Sequence, residues 1–161
     1  MKKASVTAFV LMLCLLCSCT GAKQPAAEPD MQTVADAVAA AAKLNMEDMA
    51  QTPDNYVQEL MNISPDLYEI RNTLISSVGT SINEYGIFKA TSKENADAIA
   101  EALKAYLDYR RSVWMDEYMP EEKPKLENAE VWQQGSYVMY AILDDSARSA
   151  AHSAFDGCFE G

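Results

Sequence analysis

The sequence predicts an α+β domain in which a four-stranded antiparallel sheet, made of two hairpins, carries a long helix packed across it and short N- and C-terminal helices. Two pairs of short segments have the residue patterns of strands, and one long segment between them repeats apolar residues at helical spacing. Alanine-rich segments near both ends have strong helix propensity. The predicted order is α-α-β-β-α-β-β-α, which leaves the order of the strands within the sheet open.

The first predicted hairpin spans residues 69–90. Ile70, Leu74 and Val78 alternate with polar residues, which is typical of a half-buried strand, and the stretch VGTS breaks the pattern. Residues 84–90 (EYGIFKA) predict the returning strand. We therefore expect an antiparallel pair joined by a long loop.

The long helix is the clearest element of the sequence. Residues 91–94 (TSKE) match the capping box, in which side chains of the first turn satisfy free backbone N–H groups. Apolar residues from Ile99 to Trp114 recur on one face, and opposite charges recur at helical spacing on the other. We expect this helix to end before Pro120.

The second predicted hairpin comprises residues 129–133 and 136–144. The stretch 137–143 (YVMYAIL) is apolar on both faces, which is typical of a central strand rather than an edge strand. Shorter helices are predicted over residues 31–44, over a segment that begins after Thr52 and includes Tyr56 to Met61, and over residues 146–155, and they complete the domain.

The beginning of the chain has the pattern of a bacterial lipoprotein signal. Lys2 and Lys3 precede an apolar run over residues 4–16, which as a helix would span roughly 20 Å. That length is too short for the roughly 30 Å hydrocarbon core of a bilayer, so the run fits a cleaved signal peptide. Residues 16–19 (LCSC) resemble a lipobox with Cys19 as the lipidated residue. An ordinary secretory signal cleaved nearby is the alternative.

These patterns divide the chain into four predicted segments. They are a signal peptide over residues 1–18, the lipidated cysteine and a flexible tether over 19–30, a single α+β domain over 31–156, and a tail over 157–161. The tether contains prolines and alanines and no large apolar residue. We therefore expect a protein at the extracytoplasmic face of the cell membrane, anchored by fatty-acyl (palmitate) chains on Cys19.

Composition narrows the classes of partner. The chain has 13 basic and 24 acidic residues and a net charge of −11, and removal of residues 1–18 with their two lysines makes it −13. Nucleic acid is not an expected partner, because its binding needs a basic surface. Contact with the membrane is expected through the lipid on Cys19 rather than through anionic headgroups. The mature chain keeps one free thiol, Cys158, so no intramolecular disulfide is expected.

Trp132 and Tyr137 are the first candidates for binding a partner. We expect them to pair across the second hairpin on the sheet face that the long helix leaves uncovered. An aromatic patch exposed there would favour recognition of an envelope protein. The alternative is that the short N-terminal helices cover this face.

Glu84 is the third candidate, placed where a loop enters a strand. Its carboxylate could bind a partner or serve a hydrolase, although hydrolysis by paired carboxylates needs a second group roughly 5 to 10 Å away. The alternatives are an exposed loop residue or an ion pair with a basic neighbour such as Arg71 on the adjacent strand.

No other residue pattern predicts chemistry. His152 is the only histidine, and a zinc site or a catalytic site needs further ligands or a nucleophile beside it. Met46 and Met49 have soft copper(I)-type sulfur atoms, but their spacing fits core packing on a helix better. Motifs for phosphate binding or hydrolysis are absent from the sequence. We therefore predict no catalytic residue, no metal and no cofactor.

Three runs carry a resemblance to a known family: INEYGIFKAT, YMPEEKPKLENAEVW and GSYVMYAILDD. Together with the long helix that follows the first run, they resemble the bacterial family called domain of unknown function 4358. The resemblance covers roughly residues 31–156. It implies a small lipoprotein or membrane-anchored protein of Gram-positive bacteria, and it carries no catalytic or binding residue over to this chain.

The function predicted from the sequence is that of a membrane-anchored extracytoplasmic lipoprotein that serves as a non-catalytic protein-interaction or accessory module. The alternative is a solute- or metal-binding lipoprotein whose small-molecule ligand the sequence does not identify. A carboxylate-dependent envelope hydrolase that uses Glu84 is the least favoured reading.

Overall fold

The computed structural model describes residues 28–115 and 117–160. The predicted signal peptide and Cys19 lie outside these ranges. The described chain contains these helices and strands: α1 (Met31–Ala42), β1 (Met49–Gln51), β2 (Tyr68–Ser76), β3 (Glu84–Ala90), α2 (Lys93–Ser112), α3 (Lys123–Glu127), β4 (Glu130–Gln134), β5 (Tyr137–Ile142) and α4 (Asp145–Gly157). A single helical turn at Met46–Asp48 joins α1 to β1, and two further turns at Tyr56–Leu60 and Pro65–Leu67 lie between β1 and β2.

The sheet is antiparallel and has five strands, in the order β1-β2-β3-β5-β4. Both predicted hairpins are present, as β2–β3 and β4–β5. The prediction of four strands is wrong because it omits β1, whose three residues are too few to set an alternating pattern. This strand pairs with the end of β2, where Met49 lies opposite Ser76.

The fifth strand in sequence, β5, occupies a central position, as its sequence predicts. It lies between β3 and β4, and all six of its residues are buried. A strand that is covered on both faces needs apolar side chains on both, which explains the continuous apolar run at residues 137–143.

Helices cover both faces of the sheet, so the domain has three layers. On one face α2 contributes Ile99, Leu103 and Tyr106 to a core that also contains Phe88 and Val138. On the other face α1 and α4 pack against the sheet through a second core with these residues among its members: Val34, Val38, Tyr85, Ile87, Tyr137, Met139, Ala151 and Phe155. Both faces are therefore interior surfaces.

Strand register defines two ends of the domain. At the entry end, Ser136 in the β4–β5 turn donates from its backbone N and its Oγ to the carboxylate of Glu28, at 3.0 and 2.6 Å. At the far end, Glu84 begins β3 and lies opposite Ile142. Strand β3 starts at the far end and finishes at the entry end, where Lys89 lies opposite Tyr137. Helix α2 follows β3 and its Arg110 reaches back to Glu84, so the helix runs from the entry end to the far end.

The long helix ends at Ser112, before Pro120 as predicted, and Val113 and Trp114 of its predicted apolar stripe lie just beyond its end. The returning chain is held against its last turn, because Arg111 donates to the carbonyl oxygens of Leu126 and Ala129, at 3.1 and 2.7 Å. The stretch that was expected to be a plain connection contains the short helix α3.

Candidate functional site

A buried polar cluster lies where α2, β3 and β5 meet at the far end. Glu84 is fully buried, and its Oε1 accepts hydrogen bonds from the hydroxyls of Tyr106 and Tyr140, both at 2.7 Å. Its Oε2 forms an ion pair with Nη1 of Arg110 at 2.8 Å. Both oxygens of the carboxylate are thus engaged by donors.

A third tyrosine extends this cluster toward the surface. The Tyr56 hydroxyl lies 2.8 Å from the Tyr106 hydroxyl, and Nη1 of Arg110 approaches the two hydroxyls at 3.0 and 2.6 Å. The Arg110 side chain is 18% exposed, so it forms the outer wall of the cluster. We call Glu84, Tyr106, Arg110, Tyr140 and Tyr56 the Glu84 cluster.

Helix and strand periodicity bring these side chains together. Tyr106 and Arg110 are four residues apart on α2, so they lie on the same face of the helix. Tyr140 lies opposite Gly86 on β3, and Gly86 and Glu84 point to the same face because they are two residues apart. That face is the one covered by α2.

Burial keeps the phenols of the cluster neutral. The pKa values of Tyr106 and Tyr140 are raised well above 10, mainly by burial and also by the nearby Glu84 carboxylate. Burial lowers the pKa of Arg110, but its partners Tyr106 and Glu84 outweigh this effect, and the net shift is upward. Arg110 therefore stays charged and the phenols stay neutral at physiological pH.

Glu84 thus differs from the exposed loop residue considered from the sequence. Arg71, the expected ion-pair partner, instead pairs with exposed Asp54 and lies opposite Phe88 in the sheet. The true partner, Arg110, comes from α2 and is distant in sequence, so strand pairing alone could not indicate it. With no exposed surface and both oxygens bonded, the Glu84 carboxylate stabilises the junction of helix and sheet.

The structure also places Trp132 and Tyr137 on one sheet face, but that face is covered. Trp132 lies opposite Met139, and Tyr137 lies opposite Gln134, so the two aromatic rings are diagonal neighbours rather than a direct pair. Tyr137 is fully buried and donates to the carbonyl of Pro29 at 2.5 Å. Neither Tyr137 nor Glu84 therefore offers surface to a partner.

The Trp132 ring is half-buried against α4. It stacks on the His152 ring with centroids 4.5 Å apart, and Nε2 of His152 lies 3.1 Å from a carboxylate oxygen of Asp156. The alternative considered from the sequence was that short N-terminal helices cover this face. In the structure the N-terminal helix α1 and the C-terminal helix α4 both cover it. His152 serves to pack α4 on β4.

Met46 and Met49, whose sulfur atoms could suit copper(I), lie in different elements of the structure. Met46 lies on an exposed helical turn, whereas Met49 is in β1 and packs on the core beneath α1. Within the described ranges, no three or more His, Cys, Asp or Glu side chains are grouped so that they could hold a metal ion.

Exposed apolar side chains gather at the far end. Among the described residues seven large hydrophobic side chains are exposed, and only Ile70 lies away from the far end; the other six are Met46, Val78, Tyr109, Val113, Met115 and Tyr118. Four of them, Tyr109, Val113, Met115 and Tyr118, follow one another along the end of α2 and the next turn, and we call them the far-end patch. A cleft of about 300 Å³ adjoins the patch and is lined by Trp114 and Leu126.

Comparison with known families identifies the domain. A family model described as Domain of unknown function (DUF4358) matches residues 40–143. The chain belongs to the DUF4358 family. The match begins in α1 and includes all five strands, the Glu84 cluster and the far-end patch, whereas α4 and Glu28 lie beyond it. Searches of curated proteins and of solved structures found no match.

Among the described residues of this DUF4358 protein, no helix has both the length and the apolar character needed to cross a bilayer. The longest helix, α2, carries charged residues along its exposed face and packs on the sheet through the other.

Gly86→Ala is expected to destabilise the DUF4358 domain by about 1 to 3 kcal/mol, because the central strand has no room for a methyl group. A Cβ at this position would lie 2.5 Å from Cε1 of Tyr140 and 2.7 Å from Cγ2 of Thr73. Displacement of Tyr140 would also weaken its bond to Glu84. Urea denaturation measures the effect, and Gly79→Ala, which meets no atom within 4 Å, is the control. Equal stability of the two variants would contradict the packing described at Gly86.

Proposed function

We propose that this DUF4358 protein is an extracytoplasmic lipoprotein, anchored to the cell membrane through lipid on Cys19, that acts as a non-catalytic interaction or accessory module for another envelope protein. The observation that carries the proposal is the position of the exposed apolar side chains. They gather at the far end, opposite the point where the chain enters the domain. Exposed apolar patches of this kind mark sites of recognition.

The entry end supports anchoring close to a membrane surface. Hydrogen bonds from Ser136 hold Glu28, and they lower the pKa of its carboxyl group, so the contact is strongest when Glu28 is ionised. Only residues 20–27 then separate Cys19 from the domain. Eight residues reach at most about 28 Å when extended. A lipid on Cys19 would thus keep the entry end near the membrane and direct the far end away from it.

The Glu84 cluster supports a non-catalytic role over the envelope hydrolase. A general acid or base must reach the proton that it transfers. The Glu84 carboxylate is fully buried and already bonded to Arg110, Tyr106 and Tyr140. An interaction module needs no such free group and uses its exposed surface instead.

Replacement of the anchor cysteine tests the proposal. Cys19→Ala is expected to abolish lipid attachment, so that the protein leaves the membrane fraction or accumulates as an uncut precursor. Fractionation of cells, with metabolic labelling by a fatty-acid analogue, measures both effects. Cys158→Ala, which removes the thiol near the C-terminus, is the matched control and is expected to leave membrane attachment and labelling unchanged. Unchanged attachment and processing in Cys19→Ala would refute the anchoring.

A further inference from the structure

We infer that the far-end patch binds a protein segment in which an apolar side chain is flanked by lysine or arginine residues. This inference rests on the proposed function and names the chemistry of the partner. It follows from the exposure of the patch, from the cleft beside it, and from the signs of the charges around both.

The far-end patch consists of four exposed apolar side chains at the end of α2 and in the turn that follows it. Tyr109 and Val113 lie one turn apart on α2, and their side chains are 50% and 53% exposed. A turn closed by a hydrogen bond from the Tyr118 backbone N to the Met115 carbonyl oxygen, at 2.9 Å, places the next two side chains beyond the helix end. The rings of Tyr118 and Trp114 are 6.0 Å apart, which joins the patch to the cleft.

The cleft is suited to a side chain of a partner. Trp114 and Leu126 form its apolar wall, and the mouth carries Arg111, Lys123 and Glu127. Its volume of about 300 Å³ lies at the lower limit of pockets that enclose drug-sized ligands. An aromatic and aliphatic pocket beside exposed tyrosines has the composition of a protein-binding hot spot.

The basic residues around the patch are turned inward. Arg110 binds Glu84, Arg111 binds the carbonyl oxygens of Leu126 and Ala129, and Lys125 binds Glu122 and Asn83. The exposed fraction of these three side chains is 18% for Arg110, 32% for Arg111 and 17% for Lys125, and it is 36% for Lys123. Lys123 pairs with Glu127. Arg110 and Lys125 therefore pair with buried carboxylates, whereas Arg111 and Lys123 pair with the exposed carboxylates of Asp108 and Glu127, so the positive charges at this end are balanced.

The acidic residues around the patch point outward. The side chains of Asp108 and Glu127 are 76% and 55% exposed, and they pair with Arg111 and Lys123. Glu117 and Glu121 are exposed as well and give the rim its net negative charge. The result is an apolar centre with an acidic rim, which complements an apolar segment with a basic rim. A second copy of this chain would bring a like-charged rim, and anionic lipid would be repelled.

Binding of two amphipathic peptides tests the inference. The full chain in a neutral detergent is titrated with fluorescent peptides of equal length, one built of leucine and lysine and the other of leucine and glutamate. We expect the lysine peptide alone to bind, and its affinity to fall as salt rises. Val113→Ser should weaken binding about tenfold, the effect of one buried valine side chain. Ile70→Ser, which changes a similarly exposed side chain away from the far end, should leave affinity unchanged.

Three outcomes would overturn the inference. They are equal binding of both peptides, equal affinity of Val113→Ser and Ile70→Ser, and self-association of the chain that Val113→Ser abolishes, which would make a second copy the occupant. Peptide binding in detergent does not depend on lipid at Cys19. Failure of the anchoring and failure of this binding site are therefore measured separately.

Discussion

Glu84→Gln is expected to lower the free energy of unfolding by about 3 to 5 kcal/mol, because it leaves the largely buried charge of Arg110 without its carboxylate partner. The glutamine keeps the shape of glutamate and one acceptor for the hydroxyls of Tyr106 and Tyr140. Its amide nitrogen, however, would face the guanidinium with a donor where Oε2 now accepts at 2.8 Å. Such a loss is a large part of the 5 to 15 kcal/mol typical of a small domain.

Asp54→Asn provides the matched control for this ion pair. It also removes a carboxylate from an arginine, Arg71, but the Asp54 side chain is 80% exposed, so the change should cost no more than about 1 kcal/mol. Chemical denaturation of the parent and both variants measures the difference. Similar losses in Glu84→Gln and Asp54→Asn would contradict the buried position of Glu84. In the double variant Glu84→Gln with Arg110→Met, the loss should be smaller than the sum of the two single losses.

Alkaline pH is expected to unfold the domain steeply, because buried tyrosines resist ionisation, and Tyr106 and Tyr140 of the Glu84 cluster do so most strongly. In the unfolded chain a phenol loses its proton near pH 10. In the folded domain burial, together with the Glu84 carboxylate, raises the pKa of Tyr106 and Tyr140 well above that value. The stability that the neutral phenols of Tyr106 and Tyr140 contribute is thus fully present below pH 10. It is lost as pH rises toward the folded-state pKa, since only the unfolded chain releases the protons.

Each of these two tyrosines is expected to contribute about 1.4 kcal/mol per pH unit to the alkaline slope, so the pair contributes about 3 kcal/mol per unit. Denaturation at a series of pH values from neutral to above 10 measures it. Tyr140→Phe should be less stable at neutral pH, because it loses the bond to Glu84, but should have a shallower alkaline slope. Tyr109→Phe, at a position 50% exposed, should keep the parent slope. An unchanged alkaline slope in Tyr140→Phe would refute the idea that the buried phenol of Tyr140 causes part of the loss of stability.

Local patterns predicted much of the fold because secondary structure follows from residue spacing over short distances. The range of β3 agrees at both ends with its prediction. Helix α2 begins within the predicted capping segment, but its cap is Ser92, whose side chain accepts a hydrogen bond from the Asn95 backbone N, rather than Thr91. The missing elements, β1 and α3, have three and five residues. Elements this short form through contacts with the rest of the domain rather than through a periodic sequence.

The candidate site was less predictable, since it is built from residues distant in sequence. Glu84 could be singled out as a carboxylate at the start of a strand, but its partners come from α2 and β5. Tyr106, on the apolar stripe of α2, has the signature of an ordinary core residue. Its hydroxyl acquires a role only when helix and sheet meet.

The sequence by itself determined the family, both hairpins, the central position of β5 and an acidic net charge of −11, because these depend on local pattern and composition. Only the tertiary structure decided which surfaces remain exposed. Packing of α1 and α4 buries Tyr137, and packing of α2 buries Glu84. The far-end patch, at the end of α2 and just beyond it, remains exposed. Exposure depends on which elements pack against one another, and a single sequence does not encode that as a local pattern.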